Sequence, residues 1–97
     1  MKGYWIGHLT VTDPEKHLAS YVPASTAAIA KFGGRFLVRG GTSMQTEGHA
    51  RPRHIVIEFP SYEAAVACYD SPDYRAAHAR RADTAEADIS IAQGIEL

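Results

Sequence analysis

Cysteine is nearly missing from this chain of 97 residues. Its one thiol, Cys68, excludes an internal disulfide and suits a reducing cytoplasm. No apolar run approaches the roughly 20 residues of a membrane-spanning helix, and the opening Met1-Lys2-Gly3-Tyr4 lacks the apolar stretch of a secretory leader. An excess of one charge is missing too. Ten Lys and Arg against eleven Asp and Glu leave a net charge of −1, which provides no basic field for nucleic acid or an anionic membrane. Among His8, His17, His49, His54 and His78 there is no His-x-His pair and no Cys-His cluster, so no metal is expected. Gly40-Gly41 is followed by neither Lys-Ser/Thr nor a strand-to-helix turn, which excludes a phosphate loop. Covalent catalysis has no Gly-x-Ser-x-Gly or Cys-His signature, and Cys68 reads as a small packing residue. Without repeats, low-complexity tracts or linkers, residues 1–97 make a single domain. At this size folding covers only about two-thirds of the chain's surface, so a second covered face would help stability.

What is present is a clear order of elements. Tyr4 to Thr12 alternates as a strand. Asp13-Pro14-Glu15 opens a helix, with Asp13 as N-cap and Pro14 in the first turn. Leu18, Tyr21, Val22, Ile29 and Phe32 keep helical spacing up to Gly33-Gly34, and Pro23 predicts a kink or restart inside that span. Arg35 to Arg39 is a second strand, expected to bend at Gly40-Gly41 and continue towards Glu47. A third strand runs from His54 to Phe59. Ser61 caps the next helix, and Ser71-Pro72 breaks it and starts another. The last strand spans about Ala87 to Gln93. The order β-α-β-β-α-β predicts an α+β, ferredoxin-like fold: a four-stranded antiparallel sheet with helices on one face.

Counting by twos places Trp5, Leu9, Val11, Ile55, Ile57, Phe59, Ile89 and Ile91 under the helices. Tyr4, Ile6, His8, Thr10, Leu37, Arg39, Val56, Glu58 and Ser90 then share the other face. That face mixes apolar groups with an imidazole, a guanidinium and a carboxylate, and a second copy covering it would make a twofold dimer. Two readings of its charges stand. Arg39 and Glu58 either pair and fix the register of the dimer, or they serve a ligand, because an unpaired buried charge is expensive. On a helix, Tyr74, His78 and Arg81 have i, i+4, i+7 spacing and share one stripe, with Tyr69 just before the break. Arginine among phenols suits a carboxylate or a phenolate. The plainer reading is a helix surface laced with Arg-Asp contacts.

Gly3-Tyr4-Trp5, Val11-Thr12-Asp13-Pro14, Gly33 to Gly41, Glu58-Phe59-Pro60-Ser61-Tyr62, Tyr69-Asp70-Ser71-Pro72-Asp73-Tyr74, Arg81 and Gly94 together resemble the domain-of-unknown-function 1330 family, over nearly the whole chain. The resemblance implies a dimeric α/β barrel, in which two ferredoxin-like units pack sheet against sheet. It also places Arg39, Glu58, Tyr69, Tyr74 and Arg81 at family motif positions. It implies no settled activity and no cofactor. Cys68 stands where that family usually has Trp, and His17 where an aromatic is common.

The expected function is binding of a small anionic or aromatic molecule in a pocket on the inner sheet face. Arg39, Tyr4, Tyr69, Tyr74 and Arg81 are the expected ligand-binding residues, and Glu58 or His8 the expected proton acceptor. The alternatives are a cofactor-independent monooxygenase or isomerase of the barrel group, and a purely structural dimer module.

Overall fold

A computed structural model describes residues 1–97. Strand β1 (Gly3–Val11) leads into a long helix, α1, covering 14–31. Then follow β2 (Arg35–Arg39), β3 (Arg53–Phe59), helices α2 (Tyr62–Asp70) and α3 (Pro72–Arg81), and β4 (Ala85–Gln93). The strands form one antiparallel sheet in the order β2-β3-β1-β4, and the helices cover one face of it. This is the ferredoxin-like plan. No helix is long and apolar enough to cross a membrane.

Local chemistry places the boundaries. Asp13 accepts from the Lys16 amide at 3.2 Å, and Ser61 accepts from the Ala64 amide at 3.0 Å. Ser71 accepts from the Tyr74 amide at 3.1 Å, with Pro72 in the first turn of α3. Each side chain satisfies an amide that the helix itself leaves free. Gly33, at φ +79°, ends α1 in a left-handed turn whose amides bond back to Ala30 and Ile29.

Helix α1 is not uniform. Pro14–Lys16 and Val22–Lys31 are α-helical, but His17–Tyr21 forms a π-turn. Pro23 has no amide hydrogen and its ring crowds the carbonyl four residues back, so the irregularity falls just before it. The wider turn rotates the helix face. His17 becomes buried and Leu18, expected in the core, is 68% exposed.

Strand β2 departs from expectation twice. It does not continue to Glu47: Gly40 (φ +68°) and Gly41 (φ +82°) turn the chain out of the sheet, and residues 40–52 form a connection. Inside β2 a bulge lies between Phe36 and Val38. Arg35 is opposite Glu58 and Phe36 opposite Ile57, yet after the bulge Val38 is opposite Val56 and Arg39 opposite Ile55. One extra residue reverses the parity of the rest of the strand. Arg39 therefore faces the helices rather than the open side.

The core is built where the alternation predicts it. Trp5, Ile57 and Phe59 from the sheet meet Ala28, Ile29, Ala65, Cys68, Tyr74 and Ala77 from the helices, all fully or nearly fully buried. The Trp5 indole donates to the Ala65 carbonyl at 2.9 Å and packs against the rings of Phe59, Tyr69 and Tyr74. Cys68 is wholly buried and its thiol is pushed up to about 12, so it is a packing residue. Strand β1 runs so close to the start of α2 that a Cβ on Gly3 would lie 2.6 Å from both the Ser61 carbonyl oxygen and the Tyr62 Cα. Gly3→Ala is expected to cost about 1–3 kcal/mol and lower the melting temperature by roughly 5–15 °C. An unchanged melting curve would contradict that packing.

Candidate functional site

The sheet and the helices do not meet everywhere. Between α1, the end of α3 and the helix-facing side of the sheet lies a pocket with about 450 Å³ of empty space out to its mouth. Only about 40 Å³ of it can be reached by the centre of a water-sized molecule, so the site suits a very small ligand. Its polar lining is His17, Ser25, Arg39, Arg53 and Arg81; the rest is aromatic or aliphatic, including Trp5, Tyr21, Ile29 and Ile57.

Three elements each supply a guanidinium. Arg81 comes from the last turn of α3 and is buried, 8% exposed. Its Nη1 reaches only the Tyr74 hydroxyl, at 3.5 Å, and the group lies 5.6 Å from the Tyr21 ring centre. Arg39, brought round by the bulge, donates to Thr26 Oγ1 of α1 at 2.8 Å and stacks on Phe36 at 4.0 Å. Arg53 begins β3, on the same side as Ile55 and Ile57, and its guanidinium lies beside Gly40. None of the protein's five ion pairs includes Arg39, Arg53 or Arg81. No carboxylate lines the pocket. Arg39 and Arg53 are solvent-exposed and Arg81 is buried, and none of the three has a counter-charge in the lining.

The π-turn supplies His17 and Tyr21, whose rings stack 5.0 Å apart. His17 Nδ1 lies 2.9 Å from Thr84 Oγ1, and the Thr84 hydroxyl donates to the Arg81 carbonyl at 3.1 Å. Burial lowers the pKa of His17, and the charges of Arg53 and Arg81 lower it further, so the ring is neutral at pH 7. The Tyr21 and Tyr74 hydroxyls are 2.8 Å apart, and burial pushes Tyr74 far above the usual phenol range. Burial and the nearby Arg81 and Arg75 also lower His78, half-buried beside Tyr74.

The structure divides the residues singled out in the sequence between the two faces of the sheet. Arg39 and Arg81 both line the pocket, and the Tyr74 hydroxyl accepts from Arg81. Tyr69 is packed on Trp5 and Tyr74, with the Arg75 guanidinium 4.3 Å from its ring centre, and is not part of the lining. Tyr4, Glu58 and His8 lie on the open face, away from the pocket. Arg39 does not pair with Glu58, because the bulge sends them to opposite sides of the sheet. Glu58 instead accepts from the Tyr4 hydroxyl and from Arg35 Nε, each at 3.0 Å. The Tyr4 bond, together with Arg35, holds its carboxyl below the usual range. The same bond is the main cause that raises Tyr4. His8 Nδ1 meets His54 Nδ1 at 2.7 Å, and Arg51 binds Glu86 and Asp88.

The alternation of Ile55, Ile57 and Phe59 extends one step back to Arg53, which is the signal that would have found it. His17 had only the spacing His17-Tyr21 to mark it.

No curated protein matches the chain in sequence. Solved structures share its fold. The RPA0582 protein of unknown function from Rhodopseudomonas palustris is 17% identical with a TM-score of 0.75, over 99% of this chain and 84% of that one. SnoaB, a cofactor-independent oxygenase from Streptomyces nogalater, is 10% identical with a TM-score of 0.63, over 99% and 95%. A dimeric protein of unknown function and ferredoxin-like fold from Bacteroides fragilis is 19% identical with a TM-score of 0.59, over 96% of each chain. These similarities rest on shape. The sequence itself matches the model of the domain of unknown function DUF1330 across residues 2–95, and the chain belongs to that family.

Proposed function

We propose that this protein is a homodimer that binds a small organic anion, a carboxylate with a short apolar part, in the pocket between sheet and helices. The observation that carries this reading is the set of three guanidiniums, one of them buried, with no carboxylate among them. A buried cation without a counter-charge is costly, and a bound anion relieves that cost. Arginine suits a carboxylate because its planar fork donates two parallel hydrogen bonds. The apolar remainder of the lining selects a hydrocarbon part over a bare inorganic ion. The site thus lies beneath the helices, on the side of the sheet opposite the expected one.

The open face supports the dimer. Its charged groups are already paired within the chain, while Ile6, Leu37 and Val38 are each 39–49% exposed there. A second copy would cover them, as two sheets pack face to face. The dimeric Bacteroides fragilis protein of the same fold fits this reading. Native mass spectrometry with added butyrate or butyramide tests both parts. The expected spectrum has the mass of two chains and retains butyrate but not the neutral amide. A single-chain mass would sink the dimer, and equal retention of acid and amide would sink the anion site.

A further inference from the structure

We infer that His17 is a general base in this pocket, and that the anion it serves is a carbon acid of the 2-oxo carboxylate class. This deepens the anion-site reading and rests on it. It begins with the hydrogen atoms around Thr84. The Thr84 hydroxyl has one proton and two neighbours, the Arg81 carbonyl at 3.1 Å and His17 Nδ1 at 2.9 Å. A carbonyl oxygen only accepts. If Nδ1 also carried a lone pair, one proton would face two acceptors and one contact would be repulsive. Both contacts are satisfied only when Nδ1 carries the hydrogen and donates to Thr84. Thr84 is fully buried and is held by its backbone as well, its amide bonded to Arg81 and its carbonyl to the amides of Thr12 and Asp13. The tautomer is thereby fixed by a rigid partner.

The neutral ring then has its lone pair on Nε2. That atom makes no hydrogen bond within the chain, yet no buried side-chain nitrogen or oxygen of the protein lacks a partner. Nε2 is therefore on accessible surface, and the space His17 lines is the pocket. The charged and aromatic groups near it are Arg53 from β3, Arg81 from α3 and Tyr21 from its own helix, and Arg39 from β2 also lines the pocket. None is an acid that would hold a proton on the ring.

An unprotonated base beside several guanidiniums is suited to one kind of step. Nε2 takes a proton from C3 of a 2-oxo acid. The C3–H electron pair becomes the C2–C3 double bond, and the carbonyl pair moves onto the C2 oxygen as an enolate. One guanidinium holds the carboxylate, and a second stabilises the new oxyanion. Return of the proton from Nε2 to that oxygen gives the enol, and return to C3 restores the oxo form. The change is redox-neutral and needs no co-reactant. Three arginines exceed what a single carboxylate requires, and the surplus matches the charge that develops.

The test is deuterium exchange at C3 of 2-oxobutyrate in D2O, followed by proton NMR beside a binding titration of the same probe. The intact protein is expected to accelerate exchange at least about 100-fold over buffer. His17→Gln is expected to remove that acceleration while binding stays within about threefold. Thr84→Val, which leaves Nδ1–H without its acceptor, is expected to slow exchange about tenfold and move the pH midpoint of the rate without changing binding. Binding without exchange, or undiminished exchange in His17→Gln, overturns the base and leaves the anion site standing. No binding overturns the anion site itself. Should His17→Gln fail to fold, long-range 1H–15N spectra of the intact protein decide: hydrogen on Nδ1 is expected, and hydrogen on Nε2 overturns the inference.

Discussion

Replacing Arg81 with methionine is expected to weaken butyrate binding about a hundredfold, close to 2.7 kcal/mol, without unfolding the protein. The same change is expected to leave the empty protein equally stable, or more stable by about 1–3 kcal/mol. Both effects have one cause. Arg81 is buried, has no carboxylate partner and reaches only one hydroxyl at a long 3.5 Å. In the folded protein without ligand its charge is a cost, because most of its water is displaced and only a long bond to the Tyr74 hydroxyl and the Tyr21 ring stand in its place. Methionine has a similar length, fills the same space among Tyr21 and Tyr74, and carries no charge to desolvate. Calorimetric titration and thermal unfolding of the variant read both quantities. Strong destabilisation together with unchanged affinity would make Arg81 a structural residue.

Trp5→Ala is expected to cost about 3–5 kcal/mol, a large part of the roughly 5–15 kcal/mol that holds a small domain together. Trp5 is 1% exposed and joins three layers of contact: Phe59 in the sheet, Tyr69 at the end of α2 and Tyr74 on α3. Its indole also donates to the Ala65 carbonyl, which ties β1 to α2. No neighbour can collapse into the space, because the rings around it are held by their own partners, Tyr74 by Tyr21 among them. A fall in melting temperature of roughly 20 °C is expected, since 1 kcal/mol moves a domain of this size by about 4–8 °C. Trp5→Phe keeps most of the buried area and loses the indole donor, so a smaller cost, about 1–2 kcal/mol, is expected. Thermal scans of the two variants check this; equal losses would make the hydrogen bond, not the packing, the main contribution.

Much of the fold is written locally. Asp13, Ser61 and Ser71 announce three helix starts, because each offers an oxygen to an amide three residues on. The alternation from Gly3 to Val11 and from Arg53 to Phe59 gives the correct buried face, since nothing interrupts the period of two. The candidate site was harder to see, for two physical reasons. The bulge at Phe36–Val38 reverses the direction of Arg39 without any glycine to signal it, as no glycine lies within the strand. The π-turn puts His17 inward and Leu18 outward, against the hydropathy of both. Each irregularity delivers a polar residue into the same pocket, as bulges and π-turns often do beside functional sites. Tyr74 and Arg81 were legible because α3 is regular, so their i, i+7 spacing holds. Glu58 and His8 drew attention as charges on a mixed face, yet their partners Tyr4, Arg35 and His54 are all within the chain.

The proposed anion site lies under the helices rather than on the open sheet face. Two-dimensional NMR of the labelled protein, titrated with 2-oxobutyrate and including the arginine side-chain signals, tests it most directly. Shifts at Arg81, Arg53, Arg39 and His17, with Tyr4, His8 and Glu58 unmoved, are the predicted result. Shifts confined to Tyr4, His8, Glu58 and their neighbours would place the ligand on the opposite face and contradict the site described.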